Sequence, residues 1–167
     1  MRLFVPQVKS ERLTENKQYR LISHRGNVDG KFPQYENLPE YVDKALDLGY
    51  DVEVDLWIDN DGFYLGHDEP TYPIDLKWLT DRYLKLWIHC KDLKTISKMR
   101  DLQVNMLTDL NYFFHNTDEC TITSRGHIWV YPGKQPVTNS IAVMPEWHND
   151  DITEAYGICS DYIKKYK

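Results

Sequence analysis

The order of segments along the chain predicts an α/β protein: a reduced or distorted TIM (β/α) barrel with mostly parallel strands and some helices missing. Three observations lead there. Strand-like and helix-like stretches alternate, and several strands are near-continuous apolar runs, the pattern of strands covered on both faces. Polar residues recur at the carboxyl ends of those strands, where parallel folds collect reactive groups: His24, Glu53 and Asp55, His89 and Lys91, His115, Glu146 and Asp161. The 167 residues are also too few for a complete eight-stranded barrel, which takes about 250.

Taken in order, residues 1–18 are polar and irregular and read as a surface arm. "YRLISH" (19–24) reads as a short buried strand, stopped by Gly26 and a loop to about Gln34. "YENLPEYVDKALDLGY" (35–50) places Leu38, Tyr41, Val42, Ala45, Leu46 and Leu48 at near-helical spacing, with Gly49 where a helix would stop. "DVEVDLWI" (51–58) alternates as a strand does, and "DNDG" (59–62) is a turn leading into "FYLGHD". "LKLWIHCKD" (84–92) is a further strand, and "DLKTISKMRDL" (92–102) carries Leu93, Ile96, Met99 and Leu102 on one helical face. "NYFFHN" (111–116), "HIWVYPG" (127–133), "SIAVMPE" (140–146) and "GICSDYI" (157–163) each resemble a strand with polar residues at its far end. "DDITEAYG" (150–157) has room for one short helix.

With 41% hydrophobic residues, no linker and no internal repeat, the whole of 1–167 is expected to fold as one domain with a sizeable core. The net charge of −6, with no stripe of Lys and Arg, argues against nucleic acid as a partner. A small anionic substrate stays open, because a local pair of cations or a metal can outweigh the net charge. No apolar run opens the chain as a signal peptide would, and none reaches the length of a membrane span. Cys90, Cys120 and Cys159 are odd in number and far apart, which suits reduced thiols in a cytoplasmic protein. Nothing bears on oligomeric state.

Glu53 and Asp55 lie two apart on a strand, so their carboxylates project from one face. An exposed polar strand face would explain them, but Val52, Val54 and Leu56 are suited to pack outward under helices, which turns the carboxylates inward. A buried carboxylate pair calls for a cation, and Mg²⁺ or Ca²⁺ is the natural one. His67 follows a glycine on a hairpin able to fold over the same strand end, and His24 stands at the end of the first strand. Each histidine alone is better explained as a structural or solvated residue. Together they suit acid/base cleavage of a phosphodiester, one imidazole deprotonating the nucleophile and the other protonating the leaving oxygen. A metal and the cations Arg25 and Lys91 would absorb charge on the non-bridging oxygens.

Five short motifs, "HRG" at 24–26, "EN" at 36–37, "EVDL" at 53–56, "HD" at 67–68 and the lysine of "IHCKD" at 91, occur in one order. That order and approximate spacing resemble the glycerophosphodiester phosphodiesterases, chiefly over residues 20–92. "GICSDYI" is similar to that family's closing strand, which ends in an acidic residue. The resemblance implies that His24 and His67 are catalytic, that Glu53 and Asp55 are metal ligands, and that Arg25 and Lys91 contact phosphate. It also implies that Asn37, after Glu36, braces the first loop; the two residues serve equally well as the start of a helix.

One departure concerns the metal. Two residues before the lysine, where the family has a carboxylate, stands His89. It could remain a ligand, shifting preference from Mg²⁺ or Ca²⁺ toward Mn²⁺ or Zn²⁺. Glu146, His115 or Asp118 could replace it, or the metal site could be weakened. Trp129 and Tyr131 share a strand face and either wall a substrate pocket or pack in the core, with Trp129 the stronger substrate-binding candidate. Two functions follow as expectations. The first is a metal-dependent phosphodiesterase acting on a glycerophosphodiester or another small phosphodiester; the second is a catalytically silent phosphate- or sugar-phosphate-binding module.

Overall fold

The computed structural model describes residues 17–60, 62–106 and 108–167. Most of the expected arm (1–16), and Asp61 of the expected turn, lie outside the described residues. The chain runs through β1 (Arg20–His24), α1 (Pro39–Asp47), β2 (Asp51–Asp59), β3 (Gly62–Leu65), β4 (Tyr72–Ile74), α2 (Leu76–Asp81), β5 (Leu86–Cys90) and α3 (Leu93–Met106). It continues through β6 (Tyr112–Phe113), β7 (Cys120–Ile122), β8 (Ile128–Val130), β9 (Ser140–Val143) and β10 (Gly157–Ser160).

β2 is the axis of the molecule, and its period of two separates two environments. Val52, Val54 and Leu56 have no exposed surface and pack with Val42 and Ala45 of α1, Leu86, Ile88 and Cys90 of β5, and Met99 and Leu102 of α3. On the opposite face Asp51, Glu53 and Asp55 are equally buried. A second apolar cluster, Ile22, Trp87, Phe113, Trp129, Ile141 and Cys159, fills one end of that inner side.

The strands form a mixed ten-stranded sheet curled into a half-barrel, which overturns the expectation of a TIM barrel with mostly parallel strands. Strand order is β4-β3-β2-β1-β10-β9-β8-β7, with β5 on the other edge of β2 and β6 beyond it. β3 runs antiparallel to β2, β4 to β3, and β7 to β8. The cause is the length and composition of the connections. A tight turn can join only antiparallel strands, whereas a parallel crossover with a helix needs a dozen residues or more. The later links, 131–139 and 144–156, hold Pro132, Gly133, Pro136 and Pro145 and form loops and one 3₁₀ turn (Pro145–Trp147) instead of covering helices.

Local chemistry also shortened several expected elements. α1 begins only at Pro39, because residues 32–38 turn on bonds from Tyr35 N–H to Phe32 O and Leu38 N–H to Tyr35 O, and Asn37 adopts φ +64°. The expected helix over 150–157 is absent: the Asp151 carboxylate accepts from the Thr153 N–H, and Ala155 N–H closes a turn on Ile152 O. α2, β4 and β7 were not foreseen; α2 is capped by Asp75, whose side chain accepts from Trp78 N–H at 2.7 Å. Among the described residues no helix is long and apolar enough to cross a membrane.

One consequence of the topology positions the site. β1 pairs with residues 51–53 of β2, and β3 pairs with 56–59. The chain leaving β1 donates Arg25 N–H to Glu53 O (2.9 Å), and the chain leaving β3 donates Gly66 N–H to Asp55 O (3.2 Å). From β5, Lys91 N–H reaches Leu56 O at 3.0 Å. Three segments therefore converge on the same few residues of β2. Gly66 is essential to this: a Cβ there would stand 2.1 Å from Glu69 O, at φ +154°. Gly66→Ala is expected to cost more than ~1 kcal/mol in urea unfolding, whereas Gly49→Ala, whose Cβ would meet nothing within 4 Å, costs only its backbone strain at φ +96°.

Candidate active site

Asp55 is the most heavily bonded side chain at the converging strand ends. Its Oδ2 accepts from Asn37 Nδ2 (2.9 Å) and lies 2.8 Å from Arg25 Nε; its Oδ1 accepts from Lys91 Nζ (2.9 Å) and is 3.1 Å from His89 Nδ1. Its backbone N–H is donated to Asn37 Oδ1 at 2.9 Å. Burial alone would push the Asp55 carboxyl up, but the His89 hydrogen bond and the charges of Arg25 and Lys91 hold it below the usual carboxylate range. Glu53 moves the opposite way. Burial and the neighbouring Asp55 charge raise it well above its ordinary value, against the pull of Arg25 and Lys91. Of the two carboxyls, Asp55 is the one whose surroundings favour the charged form and Glu53 the one whose surroundings favour the protonated form.

A second network orients His24. Its Nδ1 lies 2.8 Å from Asp161 Oδ1, beyond the end of β10. Burial alone would raise the Asp161 carboxyl, but the bonds from His24 and Asn27 and the charge of Arg25 together hold it below the usual carboxylate range, so its carboxylate accepts and His24 Nδ1 is the donor. Nε2 is then the free nitrogen, 3.9 Å from Glu53 Oε2. Burial, stronger than the Asp161 bond, lowers His24 itself, favouring neutral imidazole. Asn27, with no exposed surface, donates to Asp161 Oδ1 (2.8 Å) and Glu36 Oε1 (3.0 Å), while Arg25 Nη1 reaches Glu36 Oε2 at 3.0 Å. Arg25 is in the left-handed region (φ +54°), a conformation that aims its guanidinium between Asp55 and Glu36.

Of these groups His24, Arg25, Glu53, His89, Lys91 and Asp161 line a cavity of about 540 Å³ that also receives His67, Lys31, His115 and Tyr131. The sequence-derived candidates His24, Arg25, Glu53, His67, His89, Lys91 and Trp129 all line it, and Asp55 sits directly behind. They differ in setting. His67 is 43% exposed and pairs with Asp68 at 2.6 Å, whereas His24 is 14% exposed. Trp129 is a buried floor, packed on Trp87 and Phe113 at ring distances of 5.8 and 4.6 Å, so its core and pocket roles coincide. His115 stacks on His89 at 4.3 Å and is pushed down to about 4 by burial and by His89. Glu146 turns away, accepting from Ser160 Oγ (2.6 Å) and Tyr166 OH (3.1 Å). Asn37 braces Asp55 and makes no helix cap. Asn27 and Lys31 were missed; the only signal for Asn27 was its place directly after "HRG".

The residues fit a divalent cation. Glu53, Asp55 and His89 each offer a donor atom, all within 4.8 Å of one another, and they are the only such buried group among the described residues. Glu53 Oε2 is buried without a hydrogen-bond partner, although the pair's charge would otherwise be unfavourable. His89 Nε2 faces His115 O at 3.4 Å, an acceptor only, which directs the lone pair of Nδ1 toward the carboxylates when a cation stands between them. Two oxygens and one imidazole suit Mn²⁺ or Zn²⁺ as well as harder ions. Comparison of the chain with protein-family models, with curated proteins and with solved structures returned no match.

The raised Glu53 carboxyl has a measurable sign. Its contribution to stability is fully present below the unfolded value of about 4.3 and is lost as pH rises through the higher folded value. In EDTA, Glu53→Gln is therefore expected to melt higher than wild type at neutral pH, with the gap closing toward pH 4. Added Mn²⁺ should raise the wild-type midpoint more than that of the variant; equal shifts would remove Glu53 from the ligand set.

Proposed function

We propose that the protein is a metal-dependent phosphodiesterase that hydrolyses a small phosphodiester, in the manner of the glycerophosphodiester phosphodiesterases whose motifs its sequence resembles. The observation that carries this is His24: a partly buried imidazole whose Nδ1 is held by Asp161, whose surroundings favour the neutral form, and whose free Nε2 opens on a cavity with Arg25, Lys91 and a buried carboxylate pair. Arg25 and Lys91 hold the phosphate, and because both are only partly exposed and lie against buried Asp55 their charges are screened less than at an open surface. His24 and His67 exchange protons with the nucleophile and the leaving oxygen: as the new P–O bond forms, one imidazole takes the nucleophile's proton and the other supplies a proton to the departing oxygen. Glu53, Asp55 and His89 would hold a divalent ion, which when bound would supply Lewis-acid stabilisation of charge on the phosphate. Three cysteines without a disulfide suit a reducing compartment, and we place the activity in the cytoplasm on that ground.

A second function has its own support. Arg25 and Lys91 already neutralise Asp55, so the cluster is balanced without a metal and would serve a phosphate- or sugar-phosphate-binding module equally well. Hydrolysis of bis(p-nitrophenyl) phosphate and of glycerophosphodiesters under Mg²⁺, Ca²⁺, Mn²⁺ and Zn²⁺ separates the two. Turnover should fall on the order of 10²- to 10⁴-fold in His24→Ala and in His67→Ala, and His89→Glu should move the preferred ion toward Mg²⁺ or Ca²⁺. Absence of turnover under every ion overturns the enzyme; turnover that survives loss of both histidines overturns the mechanism.

A further inference from the structure

The wall of the cavity facing the charged groups is built differently from the rest. Trp147 is 62% exposed, yet it lines the cavity and sits on a turn that the fold holds in place at several points. Met144, just before that turn, is buried and left-handed (φ +44°), an uncommon conformation for a residue with a side chain. Both carboxylate oxygens of Glu146, the residue before Trp147, are held, by Ser160 and Tyr166. On the other side Gly133 N–H is donated to Asp150 Oδ2 (2.9 Å), and a Cβ on Gly133 would lie 3.2 Å from the His148 ring. The loop after β8, which carries Tyr131, is thus fastened to the turn that carries Trp147. Tyr131 is itself held, its OH donating to Asn116 O at 2.7 Å and its ring edge-on to His115. Packing does not account for an indole left exposed at the cavity on a turn held at so many points; a ligand does.

We infer that Tyr131 and Trp147, above the Trp129 floor, form a subsite for a flat aromatic ring carried on one ester arm of the phosphodiester, an aryl group or a heterocyclic base. This rests on the phosphodiester function proposed above, and it narrows the substrate from polyol-substituted diesters to ring-substituted ones. Stacking on aromatic side chains favours such rings, and the ordering cost is reduced because the Tyr131 side chain and the turn that carries Trp147 are already held. A glycerol arm has no flat face to offer. The phosphate remains at Arg25 and Lys91, and the ring sets which diester is accepted.

Calorimetric titration of the full chain tests this, with and without Mn²⁺, using inorganic phosphate, glycerol 3-phosphate, phenyl phosphate, adenosine 5′-monophosphate and adenosine. Phenyl phosphate or the nucleotide should bind about tenfold tighter than glycerol 3-phosphate, and which of the two binds tighter distinguishes an aryl from a base subsite. Trp147→Ala should erase that preference and leave glycerol 3-phosphate within about twofold of wild type, while Trp147→Phe retains it; Tyr131→Ala should weaken it too. Equal affinity for the ring and glycerol ligands, or equal weakening of both in Trp147→Ala, overturns the subsite while leaving the phosphate function intact. Adenosine binding that Trp147→Ala abolishes, with no binding of either simple phosphate, overturns the phosphate function and keeps the subsite. Absence of binding by every ligand overturns both.

Discussion

A carboxylate without exposed surface, Asp55, must be neutralised where it stands, and much of the structure is arranged to do so. The four groups that meet it come from four places: Arg25 from the loop after β1, Asn37 from the loop before α1, His89 from β5 and Lys91 from the segment after it. Two of these residues, Arg25 and Asn37, accept left-handed backbone conformations to reach it. The cluster therefore does two things at once. It ties the strand ends together, and it keeps two cations and an imidazole ordered around a single negative centre.

The inner face of β2 shows how position along one strand divides structural from chemical use. Asp51, at its start, is paired with Arg20 (2.5 Å) and accepts from Trp87 Nε1 (2.9 Å), so its charge is consumed in place. Glu53 and Asp55, further along, face the cavity end, where a half-barrel leaves space. Between them the Trp87, Phe113 and Trp129 rings close off the interior. A complete ring of helices is not needed for this arrangement. Three helices cover the β2–β5–β6 side, and loops tied by side-chain bonds serve the β8–β9–β10 side.

Several of the site's residues were legible because short-range geometry places them. Strand alternation puts Glu53 and Asp55 on one face whatever the rest of the fold does, and it puts His89 level with Asp55 once β2 and β5 pair in register. His24 was legible as a strand end. Asn27 was not, because its importance lies in joining Glu36 to Asp161, 134 residues away along the chain from Asn27. Trp147 was hidden for a similar reason: an aromatic residue after a proline has no local mark of being held beside a cavity.

By itself the sequence determined the β2 alternation, the apolar strands β1, β5, β9 and β10, the helical stretch now seen as α3, and several of the side chains that meet at the cavity. These depend on periods of two and 3.6, which act over a few residues. The tertiary structure alone decided that the sheet is mixed and only half closed, that α1 starts late, and that the Asp55 carboxyl is lowered while that of Glu53 is raised. Pairing direction follows from which edges meet, and ionisation follows from which charges surround a buried group; both are set by residues distant along the chain.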